Sequence, residues 1–356
     1  MDLLGHTWMQ RQLGQAVSCV HITSENGIIA GGWDGRVAYW NEEGGQQWQA
    51  ETSSRVSAIL EYPQKFVVTS GLEVVAITKS NGEIMWTTPL EGSADGLLQF
   101  EQFILATSSA YDIEHNDFIE SALWRLDVEG NIKWVHRLDE RPWYGFIDTN
   151  VAHFGLGRPR CGMLSIGDDG LVQTHSVLPH NSPVMCGASI QTGQIFGLAS
   201  GHIVSKDSVL VKGHSGVEFL SAASDGFIAG HENGDCTKFD ENGASKWTNR
   251  GEALSGITSA WERTNHPLIW ISRKRLDEGE LTVLNADTGT PLAEASTARI
   301  HSMASTSERL CVGLEDGQVL VWDREMFERR QHQDAPQQDL DPEKEAMRAR
   351  LRALRR

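Results

Sequence analysis

The feature that most constrains this chain is a tryptophan that recurs behind a glycine turn. In four segments a polar turn places glycine at the fourth position and tryptophan at the eighth, and a fifth segment is a degenerate copy. They occupy residues 41–48, 79–86, 127–134, 240–247 and, in the degenerate case, 285–292. A period of about 40 residues built of short strands is typical of a propeller or a solenoid.

Alignment on the tryptophans indicates a unit of four short strands. In one unit the strands fall at residues 56–60, 66–70 and 74–78, and the fourth ends on Trp86. Asp-Gly or Asn-Gly pairs separate the second and third strands, as tight hairpin turns require. The innermost strands are placed near Val17, Val56, Leu97, Phe146, Val184, Val217, Ile257 and Ile300. We therefore predict an all-β, eight-bladed β-propeller of four-stranded antiparallel blades. Because the fourth and fifth units are short, seven blades stay open.

The two ends of the repeat region predict how the ring closes. The last unit, residues 310–323, lacks a tryptophan strand, whereas Trp8 precedes Val17 much as Trp48 precedes Val56. Residues 5–13 are therefore expected to supply the missing outer strand, which leaves few exposed edges. The predicted domains are a propeller over residues 1–323 and a tail over 324–356. Each repeated tryptophan is expected to pack between neighbouring blades.

Composition limits the classes of partner. The formal net charge of −17 disfavours nucleic-acid binding by the propeller, because phosphates would be repelled. The five cysteines form no Cys-x-x-Cys pair, so zinc and redox motifs are not indicated. Few cysteines without such a pair indicate a reducing compartment. The N-terminus has no signal-peptide pattern, and no apolar run is long enough to span a membrane. We expect a cytoplasmic protein; its oligomeric state is not determined by these features.

The tryptophan segments resemble the repeat of the pyrroloquinoline-quinone-like (PQQ-like) β-propellers, and Gly213-His214 and Trp322-Asp323 are weaker WD40-like features. The resemblance implies a repeat scaffold with eight blades. That family includes quinone-dependent dehydrogenases and non-enzymatic members. The dehydrogenases carry an adjacent cysteine pair beside their cofactor, and no two cysteines are adjacent here. A non-enzymatic member without a cofactor is therefore expected.

The motif search supports that expectation. Residues 213–217 lack the last glycine of a nucleophile elbow, no Gly-rich phosphate loop is present, and the thirteen histidines include no His-x-x-x-His pair on a helix. Catalytic and metal residues are therefore predicted as none. Two alternatives stay open: a central-channel enzyme (hydrolase, lyase or quinone-type oxidoreductase) and a small-ligand sensor.

Departures from the repeat mark the expected recognition surface, because propeller function usually lies on loops. Insertions at residues 109–120 and 272–280 and the link 139–145 should emerge on one face. Our candidate contact residues for a protein partner there are Trp143, Tyr144, Arg273 and Arg275. The alternative is that the two aromatic residues only cover the core under a long loop.

The tail carries a second candidate contact. Residues 329–341 are polar and predict a linker, after which Asp341 and Pro342 favour the start of a helix. Its apolar stripe and basic flanks would comprise Met347, Arg348, Leu351, Arg352 and Leu354. Such a short helix is marginal alone. It therefore predicts either a partner-binding helix or docking on the chain's own acidic propeller, with a membrane surface or nucleic acid as further alternatives.

Overall fold

The architecture is a closed ring of eight sheets. A computed structural model describes residues 2–100, 102–114, 116–148, 151–167, 173–263 and 266–334. Those residues form eight four-stranded antiparallel sheets, each built from consecutive strands except the last. The innermost strand of every sheet contacts the innermost strand of the next, all the way round. The eight-bladed propeller is confirmed, and the seven-bladed alternative is wrong.

We call the strands of each blade A to D from the centre outwards. Blades 1 to 4 contain β2 Val17–Ile22, β3 Ile28–Gly32, β4 Arg36–Trp40, β5 Gln46–Glu51; β6 Ile59–Tyr62, β7 Lys65–Ser70, β8 Glu73–Thr78, β9 Ile84–Pro89; β10 Ser93–Gln99, β11 Phe103–Asp112, β12 Asp117–Asp127, β13 Ile132–Leu138; β14 Pro142–Asp148, β15 Val151–Leu156, β16 Met163–Gly167 and β17 Gln173–Ser176.

Blades 5 to 8 complete the ring. They contain β18 Val184–Ile190, β19 Gly193–Leu198, β20 Ile203–Ser205, β21 Val209–Val211; β22 Val217–Ala223, β23 Gly226–His231, β24 Cys236–Phe239, β25 Ser245–Asn249; β26 Leu254–Arg263, β27 His266–Lys274, β28 Gly279–Asn285, β29 Pro291–Thr297; β30 Ile300–Ser305, β31 Arg309–Leu314, β32 Gln318–Asp323 and, as strand D, β1 Met9–Gln12. The outer strands of blade 5 form the tight hairpin that their spacing required, with only residues 206–208 between them. In blade 4 the tight hairpin expected after Gly170 is wrong, because strand C, β16, lies before that residue and, of the described strands of this blade, only β17 follows it.

The N-terminal strand closes the ring. β1 pairs antiparallel with β32, from Met9 opposite Val321 to Gln12 opposite Gln318. A short 3₁₀ helix, Leu4–His6, precedes it, and the carbonyl of Leu3 accepts a hydrogen bond from the Trp322 indole at 2.9 Å. The predicted closure is confirmed, and its effect is to cover the edge that β32 would otherwise expose.

Each repeated tryptophan joins two blades, which explains the glycine in the motif. The Trp48 indole donates to the Lys79 carbonyl at 2.8 Å, and Trp247 donates to Ala286 at 2.9 Å, in each case in the C–D turn of the next blade. A Cβ added at Gly82 would lie 2.8 Å from the Trp48 ring, and φ at Gly82 is +78°. The turn therefore needs glycine both for its backbone and for the indole beside it.

A helix follows the propeller where a linker was predicted. α1 spans Arg324–Asp334 and contradicts the linker over residues 329–334. An Asp323 carboxylate oxygen accepts from the Met326 amide at 3.1 Å and caps the helix. Phe327 is 1% exposed and packs 5.5 Å from Trp270, ring centre to ring centre. The cap, the buried Phe327 ring and hydrogen bonds from Arg330 to the Gly5 and Thr7 carbonyls hold this mostly polar helix against the propeller.

Candidate functional site

The antiparallel blades give the ring two unlike faces. The turns between strands B and C and the links from strand D to the next strand A lie on one face, which we call the B–C face. The A–B and C–D turns form the other, the A–B face. Contacts confirm this grouping, because the B–C turn at Gly35 meets the D–A link at Thr52 and Ser54.

Exposed apolar side chains are concentrated on the B–C face. Three of the strongly exposed large hydrophobic residues among the described residues, Ile84, Met85 and Ile132, lie on outermost strands. The remaining ones are Trp33, Leu72, Tyr111, Ile113, Ile119, Trp143, Val177 and Leu276, all in the turns, links and hairpin ends of the B–C face. A cluster of apolar groups on a single face is typical of a binding surface.

The densest part of this surface is built by blade 3. Its B–C insertion is an extended hairpin, since β11 and β12 stay paired out to Asp112 opposite Asp117. We call Tyr111, Ile113, Phe118, Ile119 and Trp143 the blade-3 crest. Phe118 meets Tyr111 edge-on at 5.1 Å and Trp143 at 5.6 Å between ring centres. Ile113, at the tip, is 85% exposed.

An arginine supports the crest from below. The Arg141 guanidinium lies 3.9 Å from the Phe118 ring centre and 4.1 Å from that of Trp143, which fixes both rings by cation–π contact. Its Nη2 donates to an Asp95 carboxylate oxygen at 2.9 Å, and the Ser109 hydroxyl donates to the other oxygen. Burial raises the pKa of Asp95, although Ser109 and Arg141 oppose the rise.

A groove runs beside the crest towards blade 2. Its volume is about 740 Å³, and its lining is mostly small or hydroxyl-bearing, with Arg55 and Arg141 at its sides. The Arg55 guanidinium stacks 3.8 Å from the Trp33 ring centre, and Trp33 meets His301 edge-on at 5.7 Å. The crest and the groove together form a surface with an apolar ridge and a polar trough.

The contact residues predicted in the propeller differ in their exposure and in the elements that carry them. Trp143 and Tyr144 were predicted in a loop, which is wrong: β14 begins at Pro142, so both start an innermost strand. Trp143 is 40% exposed, whereas Tyr144 is partly buried and packs on Phe146. The link is short because strand A of blade 4 pairs from Pro142 onwards.

The two arginines of blade 7 also differ. Arg273 was predicted to contact a partner, but it is 4% exposed and donates to the Gly234 carbonyl at 2.6 Å and the Asn249 side chain at 2.9 Å. It is a structural residue, and burial lowers its pKa. Arg275 is half exposed and pairs with Glu280 at the base of a hairpin whose tip, Leu276, is 93% exposed.

The predicted tail contacts, namely Met347, Arg348, Leu351, Arg352 and Leu354, lie outside the described residues.

Sequence reasoning missed the residues that organise the site. Arg141 and Asp95 were not singled out, because their pairing joins blades 3 and 4 across 46 positions of sequence. A signal for the crest was present: the 109–120 insertion alternates Tyr111, Ile113 and Phe118 with acidic residues, as an exposed hairpin does.

The titratable groups of the described residues give little support to a metal site or a reactive thiol. The described residues hold no group of three or more His, Cys, Asp or Glu side chains placed to bind a metal ion. His180 and His202 stack with ring centres 3.8 Å apart. Burial raises the pKa of Cys19, Cys186 and Cys236 to about 12, so these thiols stay protonated. In the described part of the chain no helix is both long and apolar enough to cross a membrane.

Comparison with known proteins identifies the repeat. The family model described as outer membrane protein assembly factor BamB matches residues 33–154, from blade 1 into blade 4. No curated protein sequence matches the chain. Among solved structures, BamB from Moraxella catarrhalis superposes with a TM-score of 0.70 at 16% identity, covering 89% of this chain and 99% of that one. The chain is an eight-bladed β-propeller, and its repeats over residues 33–154 are similar to those of the PQQ-like family.

Two further structures share the fold. The computationally designed Ika8 protein has a TM-score of 0.64 at 16% identity, covering 88% of this chain and 98% of that one. Sqt1 from Saccharomyces cerevisiae has a TM-score of 0.69 at 10% identity, covering 89% of this chain and 98% of that one. At these identities the likeness concerns the fold, so function has to be argued from the surface.

Proposed function

We propose that this propeller is a non-catalytic protein-interaction scaffold that binds its partner through the B–C face, centred on the blade-3 crest. The observation that carries the proposal is the placement of the exposed apolar side chains. Apart from those on outermost strands, all the strongly exposed large hydrophobic residues of the described chain lie on this face. Random exposure would distribute them over both faces.

The crest has the character of a binding anchor. Its aromatic rings are held by each other and by Arg141 before any partner arrives, so little side-chain freedom is lost on binding. Aromatic residues and arginine also dominate the energetics of protein interfaces. The name of the matching family, an assembly factor, is in keeping with a scaffold.

Charge around the crest specifies the partner further. Residues 109–120 contain Asp112, Glu114, Asp117 and Glu120 but no lysine or arginine, and of these carboxylates Glu120 pairs with Arg137 of the adjacent strand. The favoured partner segment therefore has apolar side chains flanked by basic ones, since opposite charges speed encounter and exclude acidic competitors.

The test compares two variants that each replace three exposed apolar residues by serine. One replaces Tyr111, Ile113 and Trp143; its control replaces Ile84, Met85 and Ile132, which are 49%, 52% and 44% exposed on strand D of blades 2 and 3. Each protein is used as bait in a lysate of its native host, and bound proteins are quantified by mass spectrometry. We expect the crest variant to lose proteins that the control retains. Equal capture by both variants would count against the B–C face.

The tail is proposed as a second contact through Met347, Arg348, Leu351, Arg352 and Leu354. Residues 324–356 have nine basic and seven acidic side chains, whereas the rest of the chain has 22 and 41. Deletion of residues 335–356 removes these candidates and leaves α1 in place. If the deletion leaves the captured proteins unchanged, the tail is not a contact.

A further inference from the structure

Strand D holds no tryptophan in blades 4, 5 and 7. Leu210 and Val211 lie against Gly243 between blades 5 and 6, and Leu292 packs against the core between blades 7 and 8. The seam between blades 4 and 5 differs from these. The sequence has no tryptophan between Trp143 and Trp247, so strand D of blade 4 has none. Strand register shows which residue stands in its place. In blade 6 the cross-strand row runs Ser221, Ile228, Lys238 and Trp247.

The corresponding row of blade 4 is Phe146, His153, Ser165 and Thr174. Each row begins two residues before the A–B turn, so Thr174 is equivalent to Trp247. Thr174 is exposed. The C–D turn of blade 5, which an indole would meet, has only three residues, 206–208, instead of five and no glycine.

A cavity occupies this seam. Its volume is about 360 Å³, within the range of about 300–1,000 Å³ that small-molecule sites show. Phe146, Met163, Leu178 and Phe196 supply apolar walls from blades 4 and 5. A Cβ added at Gly193, which also lines the cavity, would meet no atom within 4 Å. The missing indole has therefore not been replaced by other packing.

Polar groups of the lining point to a particular kind of ligand. The Phe146 and His153 rings stack with centres 4.9 Å apart and planes at 20°, and His153 Nδ1 lies 2.8 Å from the Ser165 hydroxyl. The buried Oε1 of Gln194 has no hydrogen-bond partner among the described residues. A buried acceptor left without a donor is costly, and a ligand N–H that reached it after a small rotation of the amide would remove that cost.

We propose that the cavity between blades 4 and 5 is a binding site for a planar heteroaromatic small molecule that carries an N–H donor. Its ring would lie in the cavity against Phe146 and Phe196, whose ring centres are 6.1 Å apart, and its N–H would face Gln194. This site is independent of the blade-3 crest, because the two share no residue.

The experiment uses indole as the probe, with binding to the full chain followed by saturation-transfer NMR and titration. Thr174 lies opposite Ser165, which lines the cavity, so Thr174→Trp should extend an indole into it and weaken indole binding by at least about tenfold. The matched control, Leu72→Trp, adds the same side chain at a position that is 59% exposed on the B–C face, and should bind as the wild type does. Absence of indole binding to the wild type, or equal binding to Thr174→Trp, would overturn the proposal.

A second ligand tests the donor, and a second variant guards against misfolding. 1-Methylindole has the same ring without the N–H, so it should bind to the wild type more weakly than indole does. The Gln194→Leu variant lacks the acceptor and should bind the two ligands with equal affinity. Equal affinities for the wild type would refute the role of the donor. If Thr174→Trp lowers the melting temperature, Ser165→Phe fills the same cavity from strand C and replaces it in the comparison.

Discussion

At the scale of single residues, the recurring tryptophans are not equivalent. Trp48 is 6% exposed and packs with Tyr39 and Phe66, whereas Trp86 is only partly buried although its indole also donates to the next blade at 3.2 Å. The loss on truncation scales with the buried volume removed. The motif therefore identifies where the tryptophans lie, whereas the burial of each ring determines how much it stabilises the folded protein.

We predict that Trp48→Ala lowers the free energy of unfolding by about 3–5 kcal/mol, because it leaves a cavity between blades 1 and 2. Trp86→Ala should cost clearly less, since water already reaches part of its ring. Urea denaturation of the two variants, followed by circular dichroism, measures both. Equal losses would show that exposure of the ring has no bearing on the seam.

The environment of Glu61 predicts how the stability of the folded protein depends on pH. Burial alone would raise the pKa of this carboxyl, but hydrogen bonds from Lys79 and Ser24, with His21 Nε2 3.9 Å from the carboxylate, outweigh it and lower the pKa from 4.5 to about 2. The Lys79 ammonium lies 2.7 Å away. Because the folded pKa is the lower one, the stabilisation is complete above about pH 4.5 and is lost as the pH falls towards 2.

Glu61→Gln should therefore be less stable than the wild type at pH 7, and the gap should narrow between pH 4.5 and pH 2. Thermal melts across this range test the sign. A gap that widens on acidification would mean that burial outweighs the hydrogen bonds and that the pKa of Glu61 is raised in the folded protein.

At the scale of elements, glycine turns and apolar runs were enough to predict all eight blades and the closing strand. Side-chain environments were not predictable in the same way. Arg273 has the sequence context of an exposed hairpin, yet its guanidinium is satisfied by carbonyls of blade 6 and the adjoining link. Contacts between neighbouring blades join residues about 40 positions apart, and no local pattern encodes them.

α1 was missed because its one buried anchor, Phe327, stands in a polar segment. We predict that truncation after Asp334 leaves the melting temperature unchanged, whereas truncation after Asp323 lowers it, since the Phe327 ring would leave Trp261 and Trp270 uncovered. Differential scanning calorimetry of the two truncations distinguishes these cases. Equal melting temperatures would show that α1 adds nothing to the core of blades 7 and 8.

At the scale of the whole molecule, the two faces differ in chemistry as well as in position. Among the described residues, the turns between strands A and B and between C and D contain eleven acidic and two basic side chains. They are Glu25, Glu42, Glu43, Glu83, Glu129, Asp207, Asp225, Asp240, Glu241, Asp287 and Glu308, with Lys79 and Lys206. Negative charge is therefore concentrated on the A–B face, and exposed apolar side chains on the B–C face that we propose as the binding surface.

Ring closure is the property on which both faces depend. β1 contributes four paired residues to blade 8, and Trp8 adds an indole beside the Arg309 guanidinium, 3.9 Å from ring centre to carbon. Without β1, the edge of β32 would present unpaired backbone groups, and the seam between blades 8 and 1 would lose Met9 and Leu13 from its core.

We predict that deletion of residues 1–13 yields a protein that melts earlier and self-associates through β32. A synthetic peptide of residues 2–14 should restore both properties in trans, because it supplies the same strand and the same buried side chains. The control peptide exchanges Met9 and Leu13 for serine, which keeps the backbone pairing but removes the apolar contacts. Light scattering and thermal melts measure the rescue. If both peptides rescue equally, backbone pairing alone closes the ring; if neither does, β1 has to be covalently attached, and closure is a property of the continuous chain.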